Sequence, residues 1–116
     1  MMYNYKAELL KVVDGDTVDM NVDMGFNVRI KQRMRLYGID TAELRDKDED
    51  KRKKALKAKD YVCELLKLNQ SYEIETYKED KYGRLLVKIY LNEEETLNEM
   101  LLKIGLAEFY MKRENK

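Results

Sequence analysis

The chain has no histidine and no proline among its 116 residues, a single cysteine, and no surplus of charge, since 23 Lys and Arg balance 23 Asp and Glu. Each lack narrows the chemistry. Without histidine there is no Ser-His-Asp or Cys-His nucleophile and no imidazole base, so acid–base work falls to carboxylates, Lys or Tyr. Cys63 alone can form neither an internal disulfide nor a cysteine-rich zinc site. Its place in an apolar helical pattern suits a small hydrophobe in a reducing compartment. A zero net charge gives no general basic field, so any nucleic-acid binding must come from local patches. The absence of proline carries no functional meaning by itself. No apolar run approaches the ~18 residues of a membrane span, and no charged-then-apolar leader precedes Tyr3. The expectation is a cytoplasmic protein with no membrane partner, secreted only if a leader has been removed. The length suits one domain, residues 1–116, burying roughly 65% of its unfolded surface without staples.

What is present reads as strands first. Tyr5 to Val13 is rich in β-branched and long apolar residues and ends at the turn dipeptide Asp14-Gly15. From Thr17 to Met24 the alternation is strict, with Val18, Met20, Val22 and Met24 on one face. Asp16 shares parity with that face. It is either a carboxylate aimed inward to bind something or a turn cap, and spacing alone leaves the two even. After a turn over residues 24–27, Val28, Ile30, Met34 and Leu36 alternate with Arg29, Lys31, Arg33 and Arg35. The first three cations suit a solvated face better than a phosphate track. Arg35 lies at the strand end, where a planar donor can grip a phosphate in bidentate fashion.

Leu44 to Lys54 lacks an apolar period and reads as a mobile charged loop. Ala55, Ala58, Val62, Leu65, Leu66 and Asn69 then follow helical spacing. Ser71 to Lys78 and Leu85 to Leu91 read as two strands around the Glu79–Arg84 loop, with Arg84 opening the second. Thr96 and Glu99 form a capping box for a short helix carrying Leu97, Leu101 and Ile104, stopped at Gly105. Leu106 to Met111 adds an extended piece, and Lys112 to Lys116 is a polar tail prone to fray. The order β-β-β-α-β-β-α predicts an α+β fold, mostly β: a five-stranded oligonucleotide-binding (OB) type barrel with two helices. A mixed sheet with helices on one side is the alternative.

The stretch Arg35-Leu-Tyr-Gly-Ile-Asp40-Thr41-Ala42-Glu43 gathers a guanidinium and two carboxylates where a strand should break. Crowded carboxylates cost free energy unless a cation or strong donors offset them, so the cluster suggests a site for a hard metal ion. Two other segments bring complementary groups: Asp14-Gly15-Asp16-Thr17-Val18 and Asp80-Lys81-Tyr82-Gly83-Arg84. With the Asn98-Glu99…Gly105-Leu106-Ala107 ending, these segments resemble, in order, the motifs of the staphylococcal nuclease family, calcium-dependent phosphodiesterases built on an OB barrel. The resemblance covers nearly the whole chain.

It implies that the Asp16 and Asp40 carboxylates and the Thr41 main-chain carbonyl hold Ca2+, and that Glu43 orients or deprotonates the attacking water. It further implies that Arg35 and Arg84 grip the scissile phosphate, while Lys81 and Tyr82 contact another phosphate of the substrate. Tyr110 is the candidate for the family's cleft aromatic, slightly out of step with it. The implied reaction is P–O5′ cleavage of DNA and RNA, single-stranded by preference, leaving 3′-phosphates. Ala42 replaces the proline usual in the family, which loosens the Asp40–Glu43 turn. The first hairpin is longer than in the familiar secreted enzymes and the charged loop after Glu43 shorter. The chain stops where those enzymes carry another helix, leaving barrel surface that a second copy could cover, a homodimer. The rival reading is a weak or inactive module of this fold that binds single-stranded nucleic acid or protein. A calcium-binding structural domain would leave both arginines idle.

Overall fold

Inside the barrel each long strand buries one parity of its residues and gives the other to water, as a closed sheet requires. The computed structural model describes residues 3–110. In chain order the elements are β1 (Tyr3–Asp14), β2 (Thr17–Asp23), β3 (Arg29–Leu36), β4 (Ile39–Thr41), α1 (Glu49–Leu65), β5 (Ser71–Tyr77), β6 (Leu85–Tyr90), α2 (Leu97–Lys103) and β7 (Ala107–Phe109). Five strands close in the order β1-β2-β3-β6-β5, with β5 returning to β1. Only the β3–β6 contact is parallel, and it is short, Met34–Leu36 against Leu85–Val87. This is the expected five-stranded OB-type barrel with two helices.

Leu9, Met20, Met34, Leu36, Ile74 and Ile89 fill the barrel with no exposed surface. Strand β1 must pair on both sides, and register shifts at Leu9/Lys11 and Val12/Asp14 let it bend to do so. Helix α1 turns Ala55, Ala58 and Val62 inward and packs on β1. Gly15 is needed there for space rather than for an unusual backbone. A Cβ at that position would sit 2.7 Å from the Ala58 Cβ and 3.0 Å from Thr41 Oγ1, so glycine lets α1 and β4 close on the β1–β2 turn.

Several sequence expectations need correction. The segment Glu49–Lys54, expected as loop, belongs to α1: Asp48 caps it by accepting from Asp50 N–H, and a first turn that projects into solvent needs no apolar period. Asn69 lies beyond the helix, with φ at 66° and its N–H bonded to Leu9 O. Val28 and Ile30, on the parity expected to be buried, are 49% and 45% exposed because the first half of β3 has no neighbour opposite β2. Ile104, expected on the packed face of α2, is also exposed. Arg84 precedes β6 rather than opening it. β4 is a separate strand of three residues, too short to show a period in the sequence. It pairs with β7 in a second, two-stranded sheet that realises the extended piece expected after Gly105. The polar tail lies outside the described residues.

One buried amide holds α2 to the barrel. Asn98, 3% exposed, accepts from Ile89 N–H (3.2 Å) and donates through Nδ2 to Tyr37 O (2.9 Å) and Val87 O (3.1 Å). It thereby pins the Tyr37 corner between β3 and β4. Asn98→Ala takes this partner from Ile89 N–H and Tyr37 O, whereas Val87 O keeps Tyr37 N–H at 2.8 Å, and each group truly orphaned costs about 1–3 kcal/mol. We expect a stability loss of about 2–4 kcal/mol in urea unfolding. An Asn98→Ala protein as stable as the parent would show that α2 is held by apolar packing alone.

Candidate active site

Asp16 stands at the mouth of β2, and its carboxylate is turned inward. Its Oδ1 accepts from the Thr17 hydroxyl (3.1 Å) and its Oδ2 from Thr41 N–H (3.2 Å), so it is a partnered buried group rather than a solvent-exposed turn cap. Its neighbour Asp14 accepts from Asp16 N–H, and its carboxyl is pushed up to about 6 by burial and by the Asp16 carboxylate beside it. The sequence marked Asp14 only as a turn residue.

Arg35 lies next to Asp16 because Thr17 pairs with Arg35 in the β2–β3 ladder and Leu36 N–H donates to Asp16 O. Its Nη2 donates to Asp40 Oδ1 at 2.9 Å and reaches Asp16 Oδ2 at 3.5 Å, with the side chain only 13% exposed. The guanidinium lies 5.3 Å from the Tyr110 ring centroid. Tyr110 is set there by β7 and by its own N–H bonding to Gly38 O (2.8 Å), so it does belong beside the cluster.

The Asp40 side chain is 54% exposed. Partial burial raises its pKa, Arg35 opposes that rise, and the charges of Asp16 and Glu43 add to it. Thr41 is buried in β4 opposite Ala107. Glu43 is exposed and its carboxylate has no hydrogen-bond partner among the described residues. Asp16, Asp40, Thr41, Arg35 and Tyr110 are thus brought together, and Glu43 stands at the edge. Among the described residues no three acidic or thiol groups are gathered closely enough to hold a metal ion by themselves.

The second group is built by Asp80, which the sequence placed in a motif without a role. Its Oδ1 accepts from the N–H groups of Tyr82 and Arg84 (both 2.9 Å), and its Oδ2 accepts from Arg84 Nε at 2.8 Å. The acid four residues before the arginine was the available signal. Tyr82 lies under both cations of the loop, 5.3 Å from Lys81 Nζ and 5.4 Å from the Arg84 guanidinium. Arg35 pairs with Leu86 in the parallel ladder. Arg84, two residues earlier, is therefore one strand across and two residues along, on the order of 8 Å between Cα atoms. Two guanidiniums flank one stretch of barrel wall.

Comparison with known proteins places this geometry in context. The family model described as staphylococcal nuclease homologue matches residues 33–116. The chain is 32% identical to an uncharacterized protein of Methanocaldococcus jannaschii, over 93% of this chain and 60% of that protein. It is also 32% identical to a thermonuclease of Staphylococcus hyicus, over 93% of this chain and 61% of that protein. It therefore spans about three-fifths of the length of these relatives.

The Asp80 loop has a pH signature. Burial alone would raise the Asp80 carboxyl, but the Arg84 and Tyr82 N–H groups and the Arg84 charge outweigh it and hold the pKa below its ordinary 3.8. A depressed folded pKa stabilises above the unfolded value, and the effect is lost as pH falls through the folded one. Asp80→Ala should therefore be less stable than the parent at pH 7, with the gap closing below about pH 4. A gap in melting temperature that is constant from pH 7 to pH 3 would mean that the carboxylate charge does not hold this loop.

Proposed function

We propose that this chain, which belongs to the staphylococcal nuclease family, is a Ca2+-dependent nuclease that hydrolyses DNA and RNA, single strands by preference. The observation that carries the reading is the Arg35 guanidinium shared by Asp16 and Asp40, with a second guanidinium, Arg84, just before the adjoining strand. The donor set fits a hard cation. Asp16 and Asp40 already gather around a positive group, and Asp16 spends one contact on Thr17 and one on Thr41 N–H, leaving lone pairs for a metal. The Asp16 and Asp40 carboxylates and the Thr41 carbonyl would hold the ion. When bound, Ca2+ supplies Lewis-acid polarisation of a phosphate oxygen and a bound water.

The chain's own groups do the rest. Glu43, exposed and without a competing side-chain hydrogen bond among the described residues, orients the water and takes its proton as the new P–O bond forms and the P–O5′ bond breaks. One fragment keeps a 3′-phosphate, and O5′ of the other takes a proton from solvent water to leave as a 5′-hydroxyl. Arg35 and Arg84 donate to phosphate oxygens whose charge grows in the transition state, and Lys81 and Tyr82 hold a neighbouring phosphate. Ala42 leaves the link from Asp40 to Glu43 looser than proline would, which favours a slower enzyme. The exposed Glu43 carboxylate, held by no hydrogen bond among the described residues, favours a second reading, an inactive module that binds single-stranded nucleic acid or protein.

Plasmid nicking separates the two. Chelator should abolish cleavage and Ca2+ restore it, with Mg2+ a poor substitute because it demands stricter octahedral geometry. Arg84→Lys keeps charge but loses the planar fork, and kcat should fall on the order of 10²-fold. Cleavage undiminished in chelator would end the calcium reading, and no cleavage under any condition would leave the binding module.

Metal linkage provides a readout besides activity. Calcium at a hundredfold excess over Kd should stabilise the parent by about 2.7 kcal/mol and raise its melting temperature. Asp16→Asn should lose that rise. An undiminished calcium shift in Asp16→Asn would put the metal site elsewhere.

A further inference from the structure

The β2–β3 hairpin ends in a tip that folding alone does not explain. Gly25, Phe26 and Asn27 all have positive φ, at 80°, 56° and 64°, a region that a bulky aromatic rarely enters. The turn is closed by Met24 N–H to Val28 O (2.8 Å) and Val28 N–H to Gly25 O (2.9 Å), and the Phe26 side chain packs on nothing: the residue is 99% exposed. A strained backbone that holds a phenyl ring in water gives the fold no apolar burial in return, and such outliers point to a use.

A row of cations leads from that tip back to the site. Arg29, Lys31, Arg33 and Arg35 share the outward face of β3, spaced at every second residue, on the order of 6.7 Å apart. Arg33 is neutralised by Asp19 at 2.8 Å, and Arg35 belongs to the acidic cluster. Arg29 and Lys31 have no ion pair among the described residues. Asp23, opposite Arg29 in the ladder, spends an oxygen on Gly25 N–H.

We propose that the hairpin is a substrate arm: single-stranded nucleic acid leaving the site follows the outward face of β3, with phosphates on Lys31 and Arg29 and a base stacked on Phe26. The proposal rests on the nuclease reading for what happens at the Arg35 end. An aromatic face with neighbouring cations is how single strands are held without sequence preference. An anionic membrane could use the same tip, but it would not call for cations filed along one strand toward Arg35.

The test is binding in chelator, which under the nuclease reading prevents cleavage, of fluorescent single-stranded oligonucleotides of about four and about twelve nucleotides, a range set by typical OB-fold site sizes. The parent should bind the longer strand more tightly. Phe26→Ala should weaken binding of the longer strand roughly tenfold. The double variant Arg29→Gln/Lys31→Gln should weaken it too and flatten the slope of log affinity against log salt by about 1.4, two phosphates at ~0.7 each. Leu68→Ala, at an exposed position away from the hairpin, is the control. Unchanged affinity in both arm variants overturns the proposal, as does a parent with no length preference. Loss of binding to phosphatidylserine vesicles with oligonucleotide affinity intact would also overturn it, making the tip a lipid contact. Failure of the nuclease reading looks different: no variant cleaves with Ca2+, yet the arm variants still lose affinity for the longer strand.

Discussion

The Arg35 guanidinium is the point at which three separated pieces of chain meet. Asp16 comes from the β1–β2 turn, Arg35 from β3 and Asp40 from β4, and each brings a charge that would be costly alone so near the barrel wall. The Asp16 side chain is only 11% exposed, so its desolvation must be offset, and Thr17, Thr41 N–H and Arg35 share that task. Such partly buried pairs add little net stability compared with apolar packing. Their presence is better understood as the making of a site than as the holding of a fold.

The barrel imposes this meeting through features remote from it. Pairing of Thr17 with Arg35 sets the β3 register, and a one-residue slip would turn Arg35 inward and Leu36 outward. Beyond Leu36 the chain must reverse quickly to bring Asp40 back, through Gly38 at φ 80° and a Tyr37 corner whose carbonyl is held by Asn98 from α2. Tyr37 also stacks on Tyr77 of β5 with ring centroids 4.0 Å apart, which fixes the same corner from the other side. Gly15 lets Thr41 approach closely enough for its N–H to reach Asp16. The site geometry is therefore shared among α2, β5 and a missing methyl group.

The parts of this that could be read from the residues are those governed by local periodicity. Alternation in β2 and β3, the capping box at Thr96 and the glycine stops foretold the barrel, because period-2 burial and helix caps are written within a few positions. The failures have the opposite cause. Val28 and Ile30 keep the right parity, yet they are exposed because β6 does not extend to cover them, a fact about a strand some fifty positions away. The start of α1 was hidden by charge, since a first turn in solvent has no apolar stripe to show. In the site, the residue types were legible but their partnerships were not. Nothing local says that Arg35 would take Asp16 and Asp40 together, or that Asn98 would serve three backbone groups.

Both candidate phosphate donors are ion-paired, yet neither is spent by its pair. Arg84 gives Asp80 only its Nε–H, so among the described residues its four Nη hydrogens are unspent while the plane of the guanidinium is fixed. Among the described residues Arg35 uses only Nη2, leaving Nε and Nη1. The carboxylates thus lower the net charge of each arginine but aim it, and aim is what a developing oxyanion rewards, because a donor already in place does not reorganise as charge appears. The two pairs also differ. Asp80 has no other role in the site, whereas Asp16 and Asp40 are the groups that would hold a cation. If Asp16 and Asp40 held a cation under the proposed mechanism, the Arg35 charge would be left for phosphate, and the counter-ion these carboxylates have in the structure is that same arginine.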